Sequence, residues 1–200
     1  MTGALFGILA AFSWGGGDFV GGIASRRLPT LIVVVASQAA TLALLVPVAA
    51  ASGQALPDVA ALGRTALAGI AGGLGVLSLY HGFAHGRISI VASIAGTLAA
   101  LIPVAVSIAG GAMPSTLRIV GFVGAVAAIV IVSTSEDAAE TAPAPDGPRA
   151  DRSSGAATAG GAVYGLVAGL GFATFSLVFS GVESSGTLWL LATQIGRAHV

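Results

Sequence analysis

Hydrophobic segments follow one another almost without pause from Ala4 to Ser133, broken only by short hinges carrying arginine, proline or glycine. An α-helix needs about 20 consecutive apolar residues to cross the ~30 Å hydrocarbon core of a bilayer. Five such stretches stand in a row, followed by a polar linker, a sixth stretch and the start of a seventh. The expected fold is therefore an all-α membrane protein, a polytopic helix bundle. Composition agrees, with 56% of residues hydrophobic and 8% charged, where a soluble domain carries roughly a quarter charged.

Eight arginines balance eight acids and lysine is absent, so no basic face suits nucleic acid. The absence of cysteine excludes disulfides, iron–sulfur clusters and thiolate zinc sites. Met1-Thr2-Gly3 lacks the basic start of a signal peptide, and the first apolar segment is longer than a signal core. It is read as a retained helix. The last six residues, Ile195 to Val200, match ATC-GGA-AGA-GCA-CAC-GTC in translation, which resembles a sequencing-library adapter read in frame. They are set aside as an artefact. On this reading native sequence stops near Gln194, and the chain is a fragment.

Helices are expected at 4–24, 30–51, 63–84, 88–110, 117–134 and 159–181, with a seventh starting at Thr187. The hinges carry Pro29, Pro57, Gly86 and Pro114, residues that end or start helices. Residues 135–158 differ in kind. Glu136, Asp137, Glu140, Asp146, Arg149, Asp151 and Arg152, with Pro143, Pro145 and Pro148, make a solvated flexible linker.

Across that linker the sequence begins again. Gly3-Ala4-Leu5-Phe6-Gly7-Ile8-Leu9-Ala10 aligns with Gly161-Ala162-Val163-Tyr164-Gly165-Leu166-Val167-Ala168, and Trp14 meets Phe172 at the same offset. Thr30-Leu31 and Ser37-Gln38 are echoed by Thr187-Leu188 and Thr193-Gln194. An odd number of helices per repeat turns the next repeat upside down, an architecture common among secondary transporters. Residues 1–134 are thus expected to form a first five-helix repeat and 159–194 the start of a truncated, inverted second one. Arg26, Arg27, Arg87, Arg149 and Arg152 lie on one side, Arg64 and Arg118 on the other. The positive-inside rule then places the linker in the cytoplasm and the N-terminus outside.

Asp18 is the ionisable residue well inside the first helix. A carboxylate at mid-bilayer costs about 2.5–3.5 kcal/mol on insertion scales, so such residues face a cavity or a partner. At about 100° per residue Gly3, Gly7, Trp14, Asp18, Gly21 and Ser25 share a stripe, opposite Leu5, Phe12 and Phe19. Asp18 is either a proton-coupling or cation-binding group, or a structural hydrogen-bonding residue near the helix end. Gly15-Gly16-Gly17-Asp18 also spells the GxGD string of intramembrane aspartyl proteases, whose chemistry needs two carboxylates sharing a proton. The remaining aspartates, Asp58, Asp137, Asp146 and Asp151, all lie in connections and form no dyad. The glycine run reads instead as a soft or broken stretch of helix, or as a packing surface.

His81 and His85, four apart on one face with Ser78, lack the glutamate of a HExxH zinc motif. They read as packing or hydrogen-bonding groups, with a proton-relay role for His81 as the functional alternative. In helix four Ser89, Ser93, Gly96, Ala100, Pro103 and Ser107 form a small, polar face that either packs closely or lines a solute cavity. Pro103 is expected to kink that helix. Gly69/Gly73 and Gly161/Gly165/Gly169 read as packing surfaces, while Ser37, Gln38 and Thr41 offer uncharged hydrogen bonds to a solute or to neighbouring helices.

The stretch Tyr80-His81-Gly82-Phe83-Ala84-His85-Gly86-Arg87-Ile88-Ser89-Ile90-Val91-Ala92, followed by Leu101-Ile102-Pro103-Val104, resembles the helix three to four signature of the EamA-like branch of the drug/metabolite transporter superfamily. Met113-Pro114-Ser115 before Gly121 is similar to that family's Glu-Arg-Pro-Ser opening of helix five, with Ala112 and Met113 replacing Glu-Arg. Trp14-Gly15 with Phe19 fits its helix one pattern. The resemblance spans essentially residues 3–194. It implies ten helices in two inverted five-helix repeats, moving small organic solutes by alternating access, often outward. It also implies cytoplasmic termini, opposite to the arginine count.

The expected function is thus a multi-pass cell-membrane secondary transporter of a metabolite or drug, with a cavity lined by helices one to four. The alternatives are an intramembrane enzyme and a non-transporting membrane scaffold. Candidate solute or coupling residues are Asp18, Trp14, Gln38, His81, Ser93 and Thr97, with Pro103 as the kink. No catalytic residue, metal ligand or cofactor is expected, and no Walker A loop is present for ATP. The expected partners are the lipid bilayer, a small solute and a coupling proton or ion, with homo-oligomerisation left open.

Overall fold

The computed structural model describes residues 2–53, 57–113, 115, 116, 119–128, 131 and 154–180. Every element among them is an α-helix: α1 Thr2–Ser25, α2 Thr30–Ala51, α3 Val59–His85, α4 Ile88–Ala109, α5 Ile119–Ala128 and α6 Ser154–Ser180. The seventh helix, most of the linker and the six adapter-like residues lie outside the described residues.

Local chemistry sets the boundaries. α3 begins at Val59, four residues before the expected start, because Asp58 caps it: its carboxylate accepts from the Ala61 amide at 2.8 Å. α2 and α4 each end in a glycine with positive φ, Gly53 at 66° and Gly111 at 88°, a conformation that a Cβ disfavours. After α4 the Ala112 amide bonds back to the Ser107 carbonyl at 3.0 Å, closing off the helix end. α6 begins at Ser154, inside the expected linker, where Ala156 and Ala157 favour helix. α1 runs unbroken through Gly15-Gly16-Gly17, so the run is no helix break. α2 and α4 likewise continue through Pro47 and Pro103.

Four described segments are long and apolar enough to cross a bilayer: α2, α3, α4 and Gly160–Ser180 of α6. α1 has the length, but Asp18 and its glycines dilute its apolarity. Large apolar side chains such as Leu31, Leu44, Leu67, Leu101 and Leu170 face outward, which suits lipid as the surrounding solvent. The protein is a multi-pass helical membrane protein.

The core forms where α3, α4 and α6 meet, around Leu79, Tyr80, Phe83, Val91, Ala95 and Ala168. α6 packs along α3 and α4 more extensively than any other pair of helices does. Glycines permit that approach. A Cβ added at Gly169 would stand 2.6 Å from Leu98 Cβ and 3.0 Å from the Ala95 carbonyl, and one at Gly165 2.9 Å from the Val91 carbonyl. Gly161, Gly165 and Gly169 therefore do form a packing stripe, seated on α4. On α3 the glycines that meet α6 are Gly72, Gly75 and Gly82.

These contacts also fix chain direction. Gly161 lies beside Gly86 and Phe175 beside Gly72, so α6 runs antiparallel to α3. Asp18 lies beside Tyr80 and Gly22 beside Phe83, so α1 runs parallel to α3. α1 and α6, whose sequences echo each other, therefore point in opposite directions.

Candidate functional site

A cavity of about 480 Å³ opens between α1, α3, α4 and α6. α1 contributes Trp14, Gly15, Asp18 and Phe19, and α6 contributes Phe172, Phe175 and Ser176. Leu79 and Phe83 of α3 and Ile88, Ala92, Ala95, Gly96 and Ala99 of α4 complete the wall. Asp18 is the one ionisable side chain among these lining residues. It sits seven residues before the end of α1, about 10 Å along the helix axis.

Tyr80 donates its hydroxyl to Asp18 Oδ1 at 3.3 Å, a long hydrogen bond that ties α3 to α1. The tyrosine ring is placed by its neighbours: it stacks on Phe83 with centroids 6.5 Å apart, and a Cβ at Gly21 would overlap it. Gly21 thus earns its position by making room for the ring that reaches Asp18. The residues Gly15, Gly16 and Gly17 are different, since an added Cβ at any of them would meet nothing within 4 Å. Gly15 lines the cavity with Asp18, and the three form no packing surface among the described residues.

Chemically, an aspartate in such a wall has two uses. It can carry a proton, or it can pair with a cationic group that enters the cavity. The aromatic rings around it supply apolar contact and a negative π face. Among the described residues no three histidine, aspartate or glutamate side chains converge to hold a metal.

The sequence-derived candidates separate in space. Asp18 and Trp14 line this cavity. Gln38 lies half-buried on α2, a helix that contributes nothing to the wall, so the cavity is lined by α1, α3, α4 and α6 and not by the first four helices. Ser37 and Thr41 donate to carbonyls of their own helix, Val34 at 2.8 Å and Ser37 at 2.9 Å. Their hydroxyls are satisfied locally. Ser93 and Thr97 are half-buried on α4 outside the lining, and Pro103 lies further along the same helix. The cavity face of α4 runs through Ile88, Ala92, Ala95, Gly96 and Ala99. Of the small polar face expected there it shares only Gly96.

His81 occupies the far side of α3. It stacks on His85 with centroids 4.2 Å apart and meets Tyr164 edge-on at 4.9 Å. His85 Nδ1 lies 3.0 Å from the His81 carbonyl, and Ser78 Oγ donates to the Tyr164 carbonyl at 3.0 Å. These residues line a second cavity, of about 750 Å³, between α2, α3 and α6.

Sequence reasoning passed over Tyr80 as a site residue and missed the α6 wall. The offset that pairs Trp14 with Phe172 also pairs Asp18 with Ser176. Both pairs line the one cavity, contributed by two helices of opposite direction. That signal was present in the repeat.

The model of the EamA-like transporter family matches residues 1–134. The chain belongs to that family. Membership agrees with the drug/metabolite transporter resemblance and makes this a membrane protein of a transporter family, in contact with lipid and with a small solute. The family is one of transporters and not of enzymes. No curated protein and no solved structure gives a match.

Proposed function

We propose that this EamA-like protein is a secondary transporter that moves small organic solutes, metabolites or drugs, outward across the cell membrane by alternating access. The observation that carries the reading is the cavity between α1, α3, α4 and α6, with Asp18 as its one ionisable lining residue. Its volume falls within the roughly 300–1,000 Å³ of small-molecule sites. Residues 1–134 form the first repeat and α6 opens the second, with the cavity at the junction of the two, where inverted-repeat carriers hold solute.

Asp18 is the coupling group in this reading. When ionised it accepts from the Tyr80 hydroxyl, and when it takes a proton or a solute cation that bond is exchanged for the new partner. Trp14 and Phe172 hold the apolar body of the solute. His81 is assigned no part in coupling, because α3 stands between it and Asp18.

The rival is a scaffold whose helices close tightly over this space. The chain has no cysteine, so single cysteines at Ala92 and Ala99 report on access without background. A membrane-impermeant maleimide should label both from one side of the membrane, with labelling suppressed by a transported solute. Complete protection of both positions under every condition would replace the carrier with the scaffold.

A further inference from the structure

We propose that the second cavity, on the outer side of α3, binds one acidic phospholipid. Its phosphate sits at the arginine-bearing end of the bundle and an acyl chain lies along the groove below. This site is separate from the solute cavity: α3 turns Leu79 and Phe83 toward one and Leu74, Leu77, Ser78, His81 and His85 toward the other.

The lining is graded along the membrane normal. Ser25, Thr30, His81, His85 and Tyr164 lie toward one end, where α1 ends and α2 begins, with Ser78 about 10 Å deeper than His85 along α3. Leu74 lies eleven residues before His85 on α3, about 16 Å deeper at 1.5 Å per residue. Leu31 and Leu74, on two helices long and apolar enough to cross a bilayer, are 60% and 57% exposed, which suits a wall open to lipid. A ligand that fits must be polar at one end and oily along the rest.

Two observations identify the polar end as an anion site. Ser25 is only 6% exposed, lines the groove, and its hydroxyl has no hydrogen-bond partner among the described residues. A buried hydroxyl left unpaired is costly, and a ligand oxygen would satisfy it. Among the described residues the charges at this end are of one sign. No carboxylate lines the groove, Asp18 faces the other cavity, and Asp58 caps the far end of α3. Arg26 and Arg27 occupy the turn beside Ser25, with Arg26 Nε anchored on the Phe83 carbonyl at 3.2 Å, and Arg87 follows α3 directly. A phosphate is the group that serine, histidine and arginine donors hold in common.

The test is native mass spectrometry of the full chain released from detergent, titrated with phosphatidylglycerol, with phosphatidylcholine of the same acyl chains, and with inorganic phosphate. One phosphatidylglycerol should be retained at about tenfold lower concentration than phosphatidylcholine, the scale set by one or two basic side chains near a membrane surface. Arg26→Gln should bring the two lipids close to parity. Val167→Trp, which fills the groove without touching its polar end, should remove the retained lipid, with thermal melts confirming that both variants fold. Equal retention of the two lipids, unchanged by either variant that folds, would reduce the bound lipid to a non-specific annulus and overturn the proposal. Displacement of the lipid by millimolar inorganic phosphate would overturn it too, because the groove would then hold a free anion.

Discussion

At the scale of single residues the chain contains one decisive contact, Tyr80 to Asp18. The aspartate was legible in the sequence, because an ionisable group inside an apolar run has no cheap place in lipid. Its partner was not, since the two are separated by 62 positions and only packing of α1 on α3 brings them together. Asp18→Asn keeps the shape and the hydrogen bond but cannot carry a coupling proton. Solute counterflow should survive it while uptake driven by a pH gradient is lost, read in proteoliposomes of the protein. Tyr80→Phe removes the hydroxyl that a proton or solute cation must displace from Asp18, so it should lower the apparent KM about tenfold, and it should leave KM unchanged in an Asp18→Asn background, where no carboxylate is left to pair with the solute. An equal fall in KM with and without Asp18 would show that the two side chains act separately.

At the scale of helices, glycines that look alike in sequence do different work. Gly169 lies under Leu98 and Ala95, whereas Gly16 has open space around its missing Cβ. Gly169→Ala should cost about 1–3 kcal/mol by overpacking the α4–α6 seam. Gly16→Ala should be tolerated and stabilise α1 by about 0.5–1 kcal/mol through helix propensity. Thermal unfolding in one detergent compares them, and equal effects would mean that α6 does not rest on α4. Helix spacing correctly gave the Gly161/Gly165/Gly169 stripe, but it could not tell which neighbour the stripe would meet. On α4 the periodicity pointed to a face through Ser93 and Pro103, while the cavity uses Ala92 and Ala99. A helix of small residues offers several passable faces, and its neighbours choose among them.

At the scale of the whole molecule, the placement of α6 matters most, because it closes both the core and the cavity. A Cβ built on Gly72 stands 3.6 Å from Phe175 Cβ, within the span of a disulfide. Gly72→Cys with Phe175→Cys in this cysteine-free chain should therefore cross-link on mild oxidation. After cleavage at a protease site inserted in the 135–158 linker, α6 should stay attached to α3 until reductant is added. Separation of the two pieces without reductant would remove α6 from the α3 groove, and the cavity wall with it.

The helical fold and membrane residence were written in the sequence, because lipid demands long apolar runs with internal hydrogen bonds whatever the neighbours are. So was Asp18, since a charge stands out against such a background. Which faces meet was decided only in three dimensions. In lipid an apolar side chain gains little by moving from bilayer to protein interior, so hydrophobic patterning carries almost no information about the inside of the bundle. Close fit takes its place. Gly21 admits the Tyr80 ring, Gly169 admits Leu98, and α3 divides one cavity from the other, none of which a linear pattern of oily residues encodes.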